Sequence, residues 1–379
     1  MKNDNMPTNL ICLSHLRWNF VYQRPQHLLS RFAKNVTVYF YEEPIFDGTV
    51  NNFLSVSRPH KNLHIITPHL KANTESEEVN KTLTSLFDHF MANFEPDNCL
   101  FWYYTPMALQ FTHKHKPRAI VYDCMDELSA FKFAHSEISS LEKKLMAKAD
   151  LVFTGGQSLY EAKKQYHSNI HPFPSSIDKK HFQQCIHMKE AEDQVNIKGP
   201  KIGFFGVIDE RFDIELIKNI ADQKPDWQII LVGPVVKIDP ATLPKNKNIH
   251  YMGQKTYQEL PSYLAGWDVA LIPFLINEST RFISPTKTPE YLAANIPVVS
   301  TPIRDVVNPY GIQKLVHICT GADEFIAAIS KELAVSDRKQ WLQEVEQFLK
   351  KISWDKTHEE MVGHIQKTLN TLTKISIAS

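Results

Sequence analysis

Short β-branched and aromatic runs alternate with amphipathic stretches along this chain, and the alternation occurs twice, on either side of a polar, proline-bearing segment. In the first half, strand-like runs at Asn9–Leu13, Val36–Tyr41, Leu63–Ile66, Cys99–Tyr103, Ala119–Asp123 and Leu151–Thr154 are separated by helical spacing at Gln26–Ala33, Glu77–Phe94, Met107–His113, Ser136–Lys148 and Ser158–Tyr166. The rhythm lapses between His171 and Pro200 and resumes with Lys201–Phe205, Trp227–Val232, Ile249–Tyr251, Val269–Ile272 and Val298–Ser300. Strands alternating with helices of this length predict right-handed βαβ units and parallel sheets. Two consecutive doubly wound halves predict an α/β protein with a cleft between them. In such sheets ligands bind beyond the carboxyl ends of the strands, so the loops there carry the functional information.

Composition removes several function classes. The 12 glycines among 379 residues form neither G-x-G-x-x-G nor G-x-x-x-x-G-K-[ST], so the usual dinucleotide fingerprint and the P-loop are absent. Lys plus Arg and Asp plus Glu both number 42, leaving no basic excess to draw nucleic acid. The five cysteines are scattered without a C-x-x-C pair, which argues against a disulfide framework or structural zinc and fits a reducing compartment. The N-terminal residues lack the apolar stretch of a signal peptide, and no window approaches the ~18 apolar residues of a membrane span. A cytoplasmic location is expected.

The most informative segment is PFLINESTRFISPTKTPEYLAANIPVVSTPIRD, residues 273–305. Pro289 is tolerated only in the first turn of a helix, which places the helix start near Thr286, after the Ser284–Pro285 break. Such an N-terminus favours an anion such as a diphosphate, and Lys287 adds a positive charge there. Glu290, one turn in, is placed to accept hydrogen bonds from two ribose hydroxyls, or else only complements the helix dipole. In GFFGVIDERFD, residues 203–213, Arg211 either clamps a phosphate or is held by its acidic neighbours. The loop 17–26 offers Trp18, Tyr22 and Arg24 for an acceptor, some of its aromatics being partly core; His15 follows the first strand. DCMDE, residues 123–127, ends a strand, and Asp126 is a candidate to orient or deprotonate a hydroxyl. The basic stretch THKHKPR, residues 112–118, is either a solvated helix end or a contact for anionic lipid headgroups.

GVIDERFD, LVGP, VALIPF followed by NEST-R, and SPTKTPEYLAANIPVVSTPIRDV stand in the order and spacing of the donor domain of GT-B glycosyltransferases. Together they resemble glycosyltransferase family 4. RWNFVYQRPQHLLSRFA and VYDCMDELSAF resemble the N-terminal domain of a subgroup acting in surface polysaccharide or cell-wall sugar transfer. The resemblance implies a GT-B fold of two Rossmann-like domains: an acceptor domain over 1–172, a connection over 173–199, a donor domain over 200–352, and a helix over 353–379 crossing back to the first. It implies a UDP- or GDP-linked sugar donor, no metal, a glycan or lipid-linked acceptor, retention of configuration, and peripheral contact with the inner face of the plasma membrane where the acceptor is lipid-linked. Glu290 would hold the ribose; Arg211 and Lys287, with amides near Thr286 and Ser284, would hold the diphosphate; Gly233 and Gly253 would flank the base. The family places a sugar-contacting glutamate eight positions before the ribose glutamate, where this chain has Phe282; Glu278 or Thr280 is the expected replacement. A GT-B sugar-nucleotide epimerase and a non-catalytic binding protein are the alternatives.

Overall fold

The computed structural model describes residues 6–47 and 50–378. The chain forms two compact units, one holding the residues up to Phe173 and again from Asp355, the other Pro174–Trp354.

The first unit is built on nine strands: β1 (Asn9–Leu13), β2 (Thr37–Tyr41), β3 (Ile45–Phe46), β4 (Phe53–His60), β5 (Leu63–Leu70), β6 (Cys99–Tyr103), β7 (Ala119–Cys124), β8 (Leu151–Thr154) and β9 (Ile170–Pro172). Its main path runs β5-β2-β1-β6-β7-β8-β9, all parallel, with β4 antiparallel on β5 and the short β3 on the end of β5. Strands β1, β6 and β8 are buried almost throughout, which explains their continuous apolar runs: helices cover both faces. The helix Arg24–Phe32 opens on Gln23, whose amide donates to Gln26 Oε1 at 3.0 Å, and tolerates Pro25 in its first turn. The last helix, Trp354–Ala378, lies on this unit through Arg31 Nε to Asp355 Oδ1 (2.7 Å) and Asn169 Nδ2 to Thr368 Oγ1 (3.0 Å).

The second unit carries six parallel strands: β10 (Lys201–Phe205), β11 (Gln228–Val232), β12 (Ile249–Gly253), β13 (Val269–Ile272), β14 (Val298–Ser300) and β15 (His317–Ile318). Their order, β12-β11-β10-β13-β14-β15, is that of a dinucleotide-binding sheet, and it reverses direction between β10 and β13. That reversal opens a crevice at the carboxyl ends of those two strands.

One expectation needs correction and one strand is additional. The segment after Pro172 is more than a connection: it carries the helix Lys179–Gln183, and Ile177, Phe182 and Cys185 are buried in the core of the second unit. In the first unit, the antiparallel β4 was not expected. Its exposed residues lack the apolar alternation that marks a half-buried strand, and the free edge of β5 supplies its pairing.

Candidate functional site

The carboxyl ends of β10, β11 and β12 are floored by glycine. Gly206 donates its N–H to Val232 O and Gly233 to Gly253 O, both at 2.8 Å. Gly206 and Gly233 have φ of +138° and +146°, a backbone region closed to side chains, and a Cβ on Gly233 would stand 1.9 Å from Gly206 O. A Gly233→Ala chain is therefore expected to lose roughly 1–3 kcal/mol from backbone strain alone, and more from the displaced Gly206 carbonyl. Urea unfolding of the purified protein measures it, and an unchanged midpoint refutes it. Beside Gly253, φ +70°, a Cβ would find open space.

Lys287 extends across this floor. A Cβ on Gly206 would come within 2.2 Å of Lys287 Cε, and the ammonium lies 5.6 and 5.5 Å from the ring centroids of Phe204 and Phe274. Two aromatic faces thus hold the cation at the switch point, where water is scarce. Glu290 is buried one turn further along the helix Lys287–Ala293. Burial raises the Glu290 carboxyl, opposed by Lys287. Burial likewise lowers the Lys287 ammonium, with Glu290 and Asp209 opposing and Arg211 reinforcing. Each member is pushed toward its neutral form, and a bound anion beside Lys287 would raise the pKa of its ammonium again.

Arg211 is held as a fork on its buried neighbour Asp209: Nε reaches Oδ1 at 3.0 Å and Nη2 reaches Oδ2 at 2.6 Å. The bond to its acidic neighbour, one of the two sequence readings, is real. It also fixes the guanidinium beside Lys287, whose ammonium feels its charge. Gly206, Phe204 and Phe274 were missed from sequence; only the glycine closing GFFG was a usable signal.

The donor loop is internally stapled. Thr280 is buried, its hydroxyl donating to Leu275 O and accepting from Asn277 N–H at 3.0 Å, so it holds the loop together instead of facing a sugar. Ser284 is pinned by Ser175, whose Oγ donates to Ser284 O at 2.6 Å. Thr286 is half-buried just ahead of the helix, and Glu278 is exposed on the loop.

In the first unit the structure redraws the acceptor side. Arg24, expected to reach a phosphate, is 3% exposed; Nε and Nη2 fork onto Asp123 at 3.0 and 2.8 Å, and Nη1 donates to Phe173 O at 2.7 Å. A guanidinium this deeply paired holds the sheet edge and does not meet ligand. Trp18, expected to stack on a sugar, is buried edge-on against Phe40, its backbone N–H donating to Glu42 Oε1 at 2.7 Å. Glu42 also takes Arg17 and Thr67, so this one carboxylate organises the loop. Tyr22 remains 38% exposed, edge-on to His27, while His15 and Asp126 are half-buried. Within the basic stretch 112–118, Lys114 and His115 both pair with Asp88. Among the described residues no helix is long and apolar enough to cross a membrane.

Comparison with known proteins bears directly on this geometry. Residues 199–334, which contain the glycine floor, Arg211, Lys287 and Glu290, match the family described as glycosyl transferases group 1. Residues 199–334 are a group 1 glycosyl transferase domain. A protein of Bacillus subtilis (strain 168), carrying the name teichuronic acid biosynthesis glycosyltransferase TuaH, is 26% identical over 58% of this chain. The match spans 59% of that relative's length. Around the group 1 domain, the whole chain has the GT-B fold. Sucrose-phosphate synthase from Thermosynechococcus elongatus superposes over 96% of this chain and 99% of its own, with a TM-score of 0.69 at 16% identity. An Escherichia coli trehalose-6-phosphate protein bound with UDP-2-fluoro glucose covers 94% of this chain and 99% of its own, with a TM-score of 0.69 at 12% identity.

Proposed function

We propose that this protein transfers a sugar from a UDP-sugar to an acceptor hydroxyl, with retention of configuration, during assembly of a surface polysaccharide. The observation that carries the reading is Lys287 set over the Gly206–Gly233 floor, with the buried Glu290 one turn along the same helix, at the strand-order reversal of the group 1 domain. The floor lets a diphosphate approach the backbone without meeting a Cβ. Lys287 and Arg211 face its oxygens, and Glu290 takes the two ribose hydroxyls.

The difficult event is departure of the diphosphate while the anomeric carbon gains positive charge. Fixed cations at the leaving oxygens stabilise charge where it develops. The anomeric C–O bond to phosphate breaks, the acceptor oxygen bonds to the same face of that carbon, and the acceptor's proton passes to the departing phosphate oxygen. This balance requires no protein base and no metal. A role in teichuronic-acid-like polysaccharide draws on the named relative, and a UDP donor on the ligand of the E. coli neighbour.

A thermal-shift series with UDP, GDP and dTDP tests the reading. At 100 times its dissociation constant, UDP should stabilise the protein by about 2.7 kcal/mol, a rise of several degrees. No shift with any of the three nucleotides would overturn the donor-site assignment.

A further inference from the structure

Beneath the loop that leaves β7, five ionisable side chains share one patch of the first unit. Lys163 Nζ lies 2.6 Å from Glu127 Oε2 and 2.6 Å from Glu142 Oε2, and all three side chains are largely shielded from solvent. Tyr122 Oη donates to Glu142 Oε1 at 2.9 Å, and Cys124 Sγ stands 3.6 Å from the same oxygen. The remaining oxygen of Glu127 accepts from Ser129 Oγ at 2.6 Å. One ammonium between two carboxylates leaves a net negative charge in a poorly solvated place, where an apolar cluster would pack at lower cost. Burial works against the Lys163 ammonium, but the charge of Glu142 and the hydrogen bonds that Lys163 donates to Glu127 and Glu142 raise its pKa and keep it charged.

The network joins three elements: the helix Ile138–Lys148 through Glu142, the helix Gln157–Lys163 through Lys163, and the loop itself through Glu127. The loop is held elsewhere too. Asp123, at its start, is locked by Arg24, and the charge of Asp126 acts on the same guanidinium. A Cβ on Gly155 would stand 2.3 Å from Met125 O, so the backbone of the loop lies directly on that glycine. Loops at a sheet's carboxyl edge are ordinarily the mobile part of such a fold. This one is fixed on three sides, and the half-buried Asp126 sits between the restraints.

We propose that the Glu127–Lys163–Glu142 chain is a positioning clamp that presents Asp126 to a hydroxyl of a sugar acceptor. The proposal rests on the glycosyltransferase reading for the word acceptor, but the clamp belongs to the first unit and is tested apart from the donor site. Asp126 accepts a hydrogen bond from the sugar; Glu127, Lys163 and Glu142 act only through the loop.

The test uses the full chain with UDP-glucose as donor and methyl β-glucoside or methyl N-acetyl-β-glucosaminide as acceptor. Glu127→Gln keeps the shape and removes the charge. It should raise the acceptor KM about tenfold, the equivalent of one lost hydrogen bond, while kcat and the UDP dissociation constant stay near wild type. Amide exchange of residues 124–128 should quicken in the same variant. Lys163→Met should do the same more severely and Lys163→Arg should restore it; if Lys163→Met does not fold, Glu127→Gln decides. Unchanged acceptor KM in Glu127→Gln, or faster exchange without a change in KM, overturns the clamp as a positioning device. A wild-type protein that binds UDP but uses neither glycoside overturns the sugar-acceptor assignment of Asp126. Failure to bind UDP instead counts against the donor reading, and unchanged exchange at 124–128 in Glu127→Gln then overturns the clamp by itself.

Discussion

Replacing Glu290 by alanine will weaken UDP binding by roughly 150- to 25,000-fold, the loss expected for two hydrogen bonds to a charged acceptor at ~1.5–3 kcal/mol each. The carboxylate is buried, so water cannot take over the ribose hydroxyls when it is removed. The same burial raises its pKa, opposed by the Lys287 charge, and a ligand that donates two hydrogen bonds favours the charged carboxylate. Removing this buried side chain also leaves a cavity, and a fall in fold stability accompanies the lost affinity. Glu290→Gln separates the effects. It fills the same space and keeps one acceptor oxygen, so the fold should hold within about 1.5 kcal/mol, while affinity still falls roughly tenfold or more through the lost charge. Titration calorimetry with UDP on both folded variants is the measurement. An alanine variant that binds UDP as wild type does would remove Glu290 from the donor site.

The readable parts of this protein were those in which local pattern and final environment agree. Residues 202–205 and Val269–Ile272 are apolar throughout because helices cover both faces of the sheet, and such runs announce themselves. The Lys287–Glu290 segment was legible because Pro289 admits a single placement within a helix. The unread parts depend on partners far along the chain. Nothing near Arg24 indicates that Asp123 and the Phe173 carbonyl will absorb its guanidinium, so it read as a surface cation awaiting a phosphate. Trp18 read as a sugar platform because Glu42, which accepts from its backbone N–H, comes only after the following strand, 24 residues on. Thr280 belongs to the same class: a hydroxyl on a loop looks available until the Leu275 carbonyl is placed beside it. Gly206 closes a strand in sequence, yet its reason for being glycine is a φ of +138°, with the Lys287 side chain crossing above it. Phe282, at the position where the resemblance led to the expectation of a sugar-contacting glutamate, is half-buried, and the Arg281 guanidinium lies 5.2 Å from its ring.

For Arg211→Ala the expected result is a fall in turnover of about a hundred- to a thousandfold, the range for deleting one preorganised group that faces developing charge. The guanidinium is already oriented by Asp209 before any substrate arrives, so it reorganises little as the diphosphate departs. Its contribution is greatest when negative charge gathers on the leaving oxygens, and UDP-sugar KM should change by less than about tenfold. Arg211→Lys should recover little of the rate, because an ammonium cannot fork onto Asp209 and present a second edge at the same time. Asp209→Asn supplies the complementary control. It leaves the arginine in place but weakens the fork, and turnover should fall by a smaller factor than in Arg211→Ala. The measurement is steady-state release of UDP with acceptor present, made on variants whose unfolding midpoints match wild type. Should Arg211→Ala turn over at the wild-type rate, the fork on Asp209 is only a brace for the loop, and Lys287 alone would have to stabilise the leaving group.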